Sequence, residues 1–280
     1  MTTIDLEVSG GNVTVEDHGE GPIWLVLAGT PNSRIIRPSD EVVDRLGVRC
    51  VSLDRPGYGG SDPRRHDEWA QSAEWLEEVV DALELDRLSV LGWSGGAGHA
   101  WHLAVRLGTR CDGLTVVGGL CSVDDDRLLT SVPAESASRI RGLRRAPVRA
   151  RRKMIEWALR PTAERAGQDP RVRVDELFAR VGDADAEVID TAENLELLDQ
   201  DVAETFAQGV AGWAVDALLM TRAWSEERPS CAVRVLHGRD DQDVGRDSGR
   251  AIADAAAVEL ELTDGGHYEL LASWEQLLTR

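Results

Sequence analysis

The stretch IWLVLAG, residues 23–29, has no polar side chain on either face of an extended chain. A strand with one solvated face alternates apolar and polar residues. A short apolar run bounded by a turn is what a strand buried on both faces of a parallel sheet requires. VRCVSLD (48–54), LSVLG (88–92) and LTVVGG (114–119) repeat this character, and after a long gap so do AVRVLHG (232–238) and AVELEL (257–262). An opening pair, IDLEV and NVTVED, reads as a hairpin turned at Gly10-Gly11. Between the apolar runs lie amphipathic stretches. Residues 67–84 set Trp69, Trp75, Leu76, Val79, Val80 and Leu83 at helical spacing, and 96–107 and 268–279 also read as helices. The alternating order predicts an α/β fold with a mostly parallel sheet.

Residues 121–230 break the alternation. They hold no convincing strand, and 148–160, 171–181, 194–208 and 211–226 read as helices. Roughly a hundred residues of helix are too many for a crossover between neighbouring strands. The expected organisation is a core built from 1–120 and 231–280, with a helical cap, 121–230, inserted between the two parts.

Composition narrows the function. A net charge of −19 repels phosphates and argues against nucleic acid as a partner. No run of 18 apolar residues exists, so no membrane span is expected. The start, MTTIDLEVSG, has neither the basic nor the apolar region of a secretory signal, which makes the cytoplasm the expected location. Cys50, Cys111, Cys121 and Cys231 are far apart, and the six histidines do not cluster, so neither disulfides nor a metal site is expected.

The chemistry concentrates around LSVLGWSGGAG, residues 88–98. Gly92-Trp93-Ser94-Gly95-Gly96 fits G-x-S-x-G, directly after an apolar strand and directly before a helix. A nucleophile on a sharp strand-to-helix turn sits in a strained backbone, where neighbouring side chains would collide with strand or helix. The plain alternatives are a βα turn or a phosphate loop, and the glycines match neither phosphate-binding spacing. A serine hydroxyl needs a base and a group to orient that base. LTDGGHYELL (262–271) supplies His267 after the final strand, and VRVLHGRDDQD (233–243) supplies carboxylates after the one before it.

These motifs together resemble the α/β-hydrolase fold family, over essentially the whole chain outside the cap. GWSGG is similar to the nucleophile elbow, HGRDD to the acid loop and DGGHYELL to the histidine loop. LDRPGYGGSD (53–62) is similar to the D-x-x-G-x-G-x-S stretch after the fourth strand. The resemblance implies a mostly parallel eight-stranded sheet with flanking helices and an inserted helical cap. It implies Ser94 as nucleophile, His267 as general base and Asp241, three residues past Gly238, as the acid, with Asp240 and Asp243 beside it as alternatives. The oxyanion would be held by the backbone N–H groups of Gly95 and Thr30. The family more often has His-Gly where this chain has Ala28-Gly29, so one fixing hydrogen bond is lost although the backbone donor remains.

The expected function is that of a serine hydrolase acting on a small-molecule ester, thioester, lactone or related acyl bond, with no cofactor. Two other readings stand beside it: non-hydrolytic chemistry in the same pocket (cyclisation, C–C cleavage or elimination), and a silent binding protein. His99, His102 and His237 read as packing, Asp54, Arg55 and Tyr58 as braces of a turn, and Cys121 as an inert thiol near the pocket. Residues 139–153, RIRGLRRAPVRARRK, are dense in positive charge. They read either as a solvated helical face or as a surface attracting an anionic or carrier-bound substrate. Trp157, Phe178, Phe206, Trp213, Met220 and Trp224 are expected mostly in the cap core, with a few facing Ser94. The oligomeric state is not legible.

Overall fold

In the computed structural model of the chain the described residues are 2–122, 129 and 134–279. Eight strands make one sheet: β1 (Thr2–Val8), β2 (Gly11–Gly19), β3 (Ile23–Leu27), β4 (Arg49–Leu53), β5 (Leu88–Trp93), β6 (Cys111–Val117), β7 (Ala232–Gly238) and β8 (Leu260–Thr263). They lie in the order β1-β2-β4-β3-β5-β6-β7-β8. The opening hairpin is antiparallel, as is the β2–β4 pairing, and the remaining strands run parallel.

The apolar runs are apolar because helices cover both faces. Leu25 and Leu27 of β3 pack with Leu76 and Val79 of α2 (Trp69–Ala82), Trp101 of α3 (Gly96–Leu107) and Ile252 of α10 (Arg246–Ala256). Trp24 and Val26, pointing the other way, pack with Val43 of α1 (Asp40–Leu46) and Leu270 and Trp274 of α11 (Leu270–Leu277). Neither α1 nor α10 is foreseen from the sequence. β6 begins three residues before the apolar run that announces it, and β8 occupies only the end of AVELEL.

Among the described residues six helices stand between β6 and β7: α4 (Ala134–Arg144), α5 (Val148–Gln168), α6 (Pro170–Phe178), α7 (Asp183–Ile189), α8 (Ala192–Thr205) and α9 (Ala211–Leu219). Of the span read as a cap, residues 123–128 and 130–133 lie outside the described residues. Two backbone bonds join the insertion to the loop after β4: Gly212 N–H to the Gly57 carbonyl at 3.2 Å and Gly59 N–H to the Glu204 carbonyl at 3.1 Å. Among the described residues no helix is long and apolar enough to cross a membrane.

The strand order decides where a site can form. From β3 the chain moves to β4 on one side and then returns to β5 on the other, so the order reverses at β3–β5. A crevice opens beyond the carboxyl ends of strands at such a reversal. The loops that follow β3, β5, β7 and β8 all leave the sheet at that edge.

Candidate functional site

Ser94 is the first residue past β5, with φ of +53°. That left-handed conformation costs a residue with a Cβ about 1–3 kcal/mol and persists only where its surroundings fix it. Three backbone bonds do so here. Ser94 N–H donates to the Val117 carbonyl at 3.0 Å, and the Ser94 carbonyl accepts from Ala97 at 3.2 Å and Leu120 at 3.0 Å. The turn also brings α3 hard against the strands. A Cβ on Gly96 would stand 2.2 Å from the Leu27 carbonyl oxygen, and one on Gly92 would stand 2.6 Å from the Ala100 methyl, so both positions need glycine.

The imidazole of His267, in the loop between β8 and α11, reaches back to this turn. Its Nε2 lies 3.0 Å from Ser94 Oγ, and its Nδ1 lies 2.8 Å from Asp241 Oδ2. With the carboxylate accepting from Nδ1–H, Nε2 is the acceptor for the serine hydroxyl. The other Asp241 oxygen accepts from the N–H groups of Asp243 at 3.0 Å and Val244 at 2.8 Å. Of the three carboxylates in this loop, Asp241 is the one brought to the imidazole. Burial pushes the Asp241 carboxyl up, but His267 beside it and the Val244 N–H more than offset this, and it sits below its ordinary value. For His267, burial pushes the imidazole down and Asp241 more than reverses it, leaving it above its ordinary value.

Two groups clamp the histidine loop. The Trp93 indole Nε1–H donates to the His267 carbonyl at 3.0 Å. The Asp185 carboxylate, reaching from α7, accepts from the backbone N–H of His267 at 2.9 Å and of Tyr268 at 2.6 Å. Nothing in the sequence separates Asp185 from the many surface acids around it.

Thr30 follows β3 and faces Gly95: a Cβ on Gly95 would lie 2.5 Å from Thr30 Oγ1. Among the described residues neither N–H is taken by another protein group, and Gly95 begins a helix whose end carries partial positive charge. The loop is held where the family's imidazole is missing. Arg55 donates to the carbonyls of Ala28 at 2.7 Å and Gly29 at 2.6 Å, and its fork also grips Asp216 Oδ2 at 2.7 Å. The same carboxylate, on α9, accepts from Thr30 Oγ1 at 2.7 Å and the Tyr58 hydroxyl at 3.0 Å. Burial opposes ionisation of Asp216, but Arg55 and His99 more than offset it and hold the carboxyl well below its usual range. Arg55 and Tyr58 therefore do more than brace a turn, whereas Asp54, bonded to Arg34 and Gly60, does only that.

A second serine–histidine–aspartate chain lies beneath. Ser72 Oγ is 2.7 Å from His99 Nδ1, and His99 Nε2 is 3.1 Å from Asp216 Oδ1. All three side chains are buried and none lines the cavity at Ser94, so this chain orients Asp216. His102 stacks on Trp69 at 5.1 Å between ring centres, and His237 bonds the Val244 carbonyl at 3.0 Å, both as packing.

Ser94, His267 and Thr30 line a cavity of about 270 Å³. From the insertion, Phe206 and Trp213 line it, whereas Trp157 is 79% exposed and Trp224 packs on Trp101 and Trp69. Among the described residues none of 139–153 lines it. Arg151 is spent on Thr221 and the Arg144 carbonyl, and Arg152 on Asp67. Cys121 does not line it either, and its N–H donates to Ser248 Oγ at 2.6 Å. Among the described residues no group of three or more His, Cys, Asp or Glu is arranged to hold a metal ion.

Comparison with known proteins places this site in context. The chain is 30% identical over 143 residues to the 2-hydroxy-6-oxononadienedioate/2-hydroxy-6-oxononatrienedioate hydrolase of Escherichia coli K12, covering 49% of this chain and 46% of that protein. It is 25% identical over 175 residues to the enzyme of the same name from Cupriavidus pinatubonensis, covering 61% and 58%. The chain thus spans about half the length of these two curated relatives. The crystal structure of the enol-lactonase from Burkholderia xenovorans LB400 superposes with a TM-score of 0.68 over 98% of this chain and 96% of that one, at 16% identity. That likeness is one of fold. The sequence pattern of one family, described as the alpha/beta hydrolase family, matches residues 18–279. The chain belongs to the alpha/beta hydrolase family.

Proposed function

We propose that the protein is a serine hydrolase that cleaves an ester, thioester, lactone or related acyl bond of a small molecule. The observation that carries this reading is the pair of contacts from one imidazole, 3.0 Å to the Ser94 hydroxyl and 2.8 Å to the Asp241 carboxylate. Ser94 Oγ attacks the acyl carbon while His267 Nε2 takes its proton, and Asp241 stabilises the imidazolium that forms. The negative charge moves to the carbonyl oxygen, where the N–H groups of Thr30 and Gly95 and the start of α3 receive it. Collapse breaks the bond to the leaving group, which takes the proton from His267. Water then repeats the cycle on the acyl-enzyme and restores the serine.

The helices between β6 and β7 act in this reading as a cap that closes the cavity over Ser94 and sets acyl size. The relatives are named as hydrolases, one of an oxononadienedioate and one of an enol-lactone, which supports hydrolysis as the reaction class. All four cysteines are thiols, which fits the reducing cytoplasm.

A fluorophosphonate probe tests the reading. It should label Ser94 and block p-nitrophenyl ester hydrolysis. Ser94→Ala should lose labelling and roughly 10⁴–10⁶-fold in kcat with its thermal unfolding unchanged. Labelling at another residue, or activity that survives Ser94→Ala, would sink it.

A further inference from the structure

Arg173 on α6 and Arg180 just past its end line the same cavity as Ser94 and His267. They stand seven residues apart in the chain and meet at one cavity wall. Neither guanidinium is well neutralised by protein. The carboxylate nearest Arg173 is Glu176, one turn away on the same helix at 3.4 Å. Among the described residues no carboxylate comes within 4.0 Å of Arg180. Arg173 also lies over the Trp213 ring, 6.0 Å from its centre, which fixes where its fork points.

A neutral donor stands beside them. Tyr268, next to His267, lines the cavity, and among the described residues its hydroxyl has no hydrogen-bond partner. Burial, with Asp243 nearby, keeps that phenol protonated and therefore able to donate. Two carboxylates share the wall. Asp201 is saturated, accepting from Asn32 Nδ2 at 2.6 Å, the Ser33 N–H at 2.8 Å and Ser33 Oγ at 2.7 Å. Those neutral donors leave the Asp201 charge in place but turn its oxygens to the Asn32–Ser33 loop, and neither Asp201 nor Asp243 comes within 4.0 Å of either guanidinium among the described residues.

We propose that Arg173, Arg180 and the Tyr268 hydroxyl form an anion subsite, and that the substrate is a short ester, thioester or lactone bearing a free carboxylate. A guanidinium fork matches a carboxylate with two parallel N–H donors, and a phenol adds a third contact. Arg173 and Arg180, rather than the basic stretch 139–153, give the cavity its attraction for negative charge. The cavity of about 270 Å³ has room for a short diacid chain. This inference rests on the hydrolase reading above, and the test separates the two.

The probes are the mono-p-nitrophenyl ester of glutaric acid and its uncharged counterpart, p-nitrophenyl pentanoate. The protein should favour the charged ester roughly 30-fold in kcat/KM, mostly through KM, and the preference should shrink as salt rises. Arg173→Gln/Arg180→Gln should erase the preference while pentanoate turnover stays within about twofold. Arg180→Gln alone, an exposed position, should lose part of it without any risk to folding. Equal rates on the two esters in the unaltered protein would overturn the subsite and leave the hydrolase reading standing. Loss of both turnover and fluorophosphonate labelling would overturn the hydrolase reading. A binding arm then decides the subsite: glutarate should raise the Tm of the unaltered protein and not of the double variant, and no shift in either would overturn it.

Discussion

Replacing Asp241 by asparagine isolates one proton in the proposed mechanism. In the folded chain Asp241 Oδ1 accepts from two backbone donors, the N–H groups of Asp243 and Val244, and Oδ2 accepts from His267 Nδ1–H. An asparagine must keep its amide oxygen toward the two N–H groups, because an NH2 there would face two donors. Its NH2 is then forced toward Nδ1, which can meet it only by giving up its own proton. The imidazole proton moves to Nε2, pointing at Ser94 Oγ 3.0 Å away, and the base is lost with the geometry intact. Such a wrong-tautomer change costs about 10⁴ in kcat, or about 5 kcal/mol at 1.36 kcal/mol per decade. The pH profile supplies a second readout. Asp241 holds His267 above its ordinary value, so the unaltered protein should lose kcat/KM as pH falls through a point above 6.5. In Asp241→Asn burial is opposed only by the more distant Asp243 and Asp185, and the limb should move to lower pH. Steady-state hydrolysis and the rate of fluorophosphonate labelling should fall together, while Asp240→Asn, at the same turn but away from the imidazole, should change neither. Retention of kcat/KM within tenfold in Asp241→Asn would refute the tautomer argument and with it Asp241's role.

Two further outcomes follow from buried groups outside the reacting atoms. Burial, the largest effect on both, pushes His66 and His102 down to about 4 from 6.5. Their stabilisation is whole above 6.5 and is lost as pH falls toward 4, by about 2 kcal/mol for each at pH 5; urea midpoints at pH 7 and pH 5 measure it, and His66→Phe, beside Trp75, should flatten the dependence. Asp185→Ala leaves two backbone N–H groups of the histidine loop without acceptors, so it should lower Tm by several degrees and kcat by about tenfold or more with KM little changed; an unaltered kcat would show that the loop holds its place without α7.

The core was legible because burial on both faces leaves a strong mark on composition: a strand such as IWLVL has no room for a polar residue, and Gly92 and Gly96 mark a turn that tolerates nothing larger. α1 and α10 were missed because neither buries a stripe of large apolar side chains: α10 buries Ser248, Gly249, Ile252 and Ala253. α1 has one fully buried side chain, Val43, and its signals are a Ser39 cap and Gly47 at its end rather than an apolar stripe. α10 carries Gly249 in its middle. The histidine, the serine and Asp241, three residues past Gly238, were read from their place after strands, and the backbone donors at Asp243 and Val244 show what turns that carboxylate, rather than its neighbours, to the imidazole. The basic stretch left two readings open because charge density along the chain says nothing about which way a side chain faces.

What escaped the sequence altogether has one physical form. Asp185, Asp201 and Asp216 come from three successive helices of the insertion, α7, α8 and α9, and all are buried. Each is spent on a loop that presents a reacting group. Asp185 takes the N–H groups of His267 and Tyr268, Asp201 takes Asn32 and Ser33 just past Thr30, and Asp216 takes Thr30 Oγ1 and the Arg55 fork that grips the two carbonyls before it. In a chain with 50 acidic residues, an aspartate on a helix reads as solvated surface, and only the three-dimensional partner reveals otherwise. A carboxylate removed from water must find compensating donors, and here those donors belong to the loops. The desolvation that makes each aspartate costly when unpaired is what makes its contact specific, because any shift of the loop leaves a charge or two N–H groups unmet. The insertion is therefore bound to the sheet edge that carries Ser94 and His267 by the same bonds that fix the geometry of that edge. A hydrolase built this way gains its precision from helices whose sequence, read alone, promised only a cover.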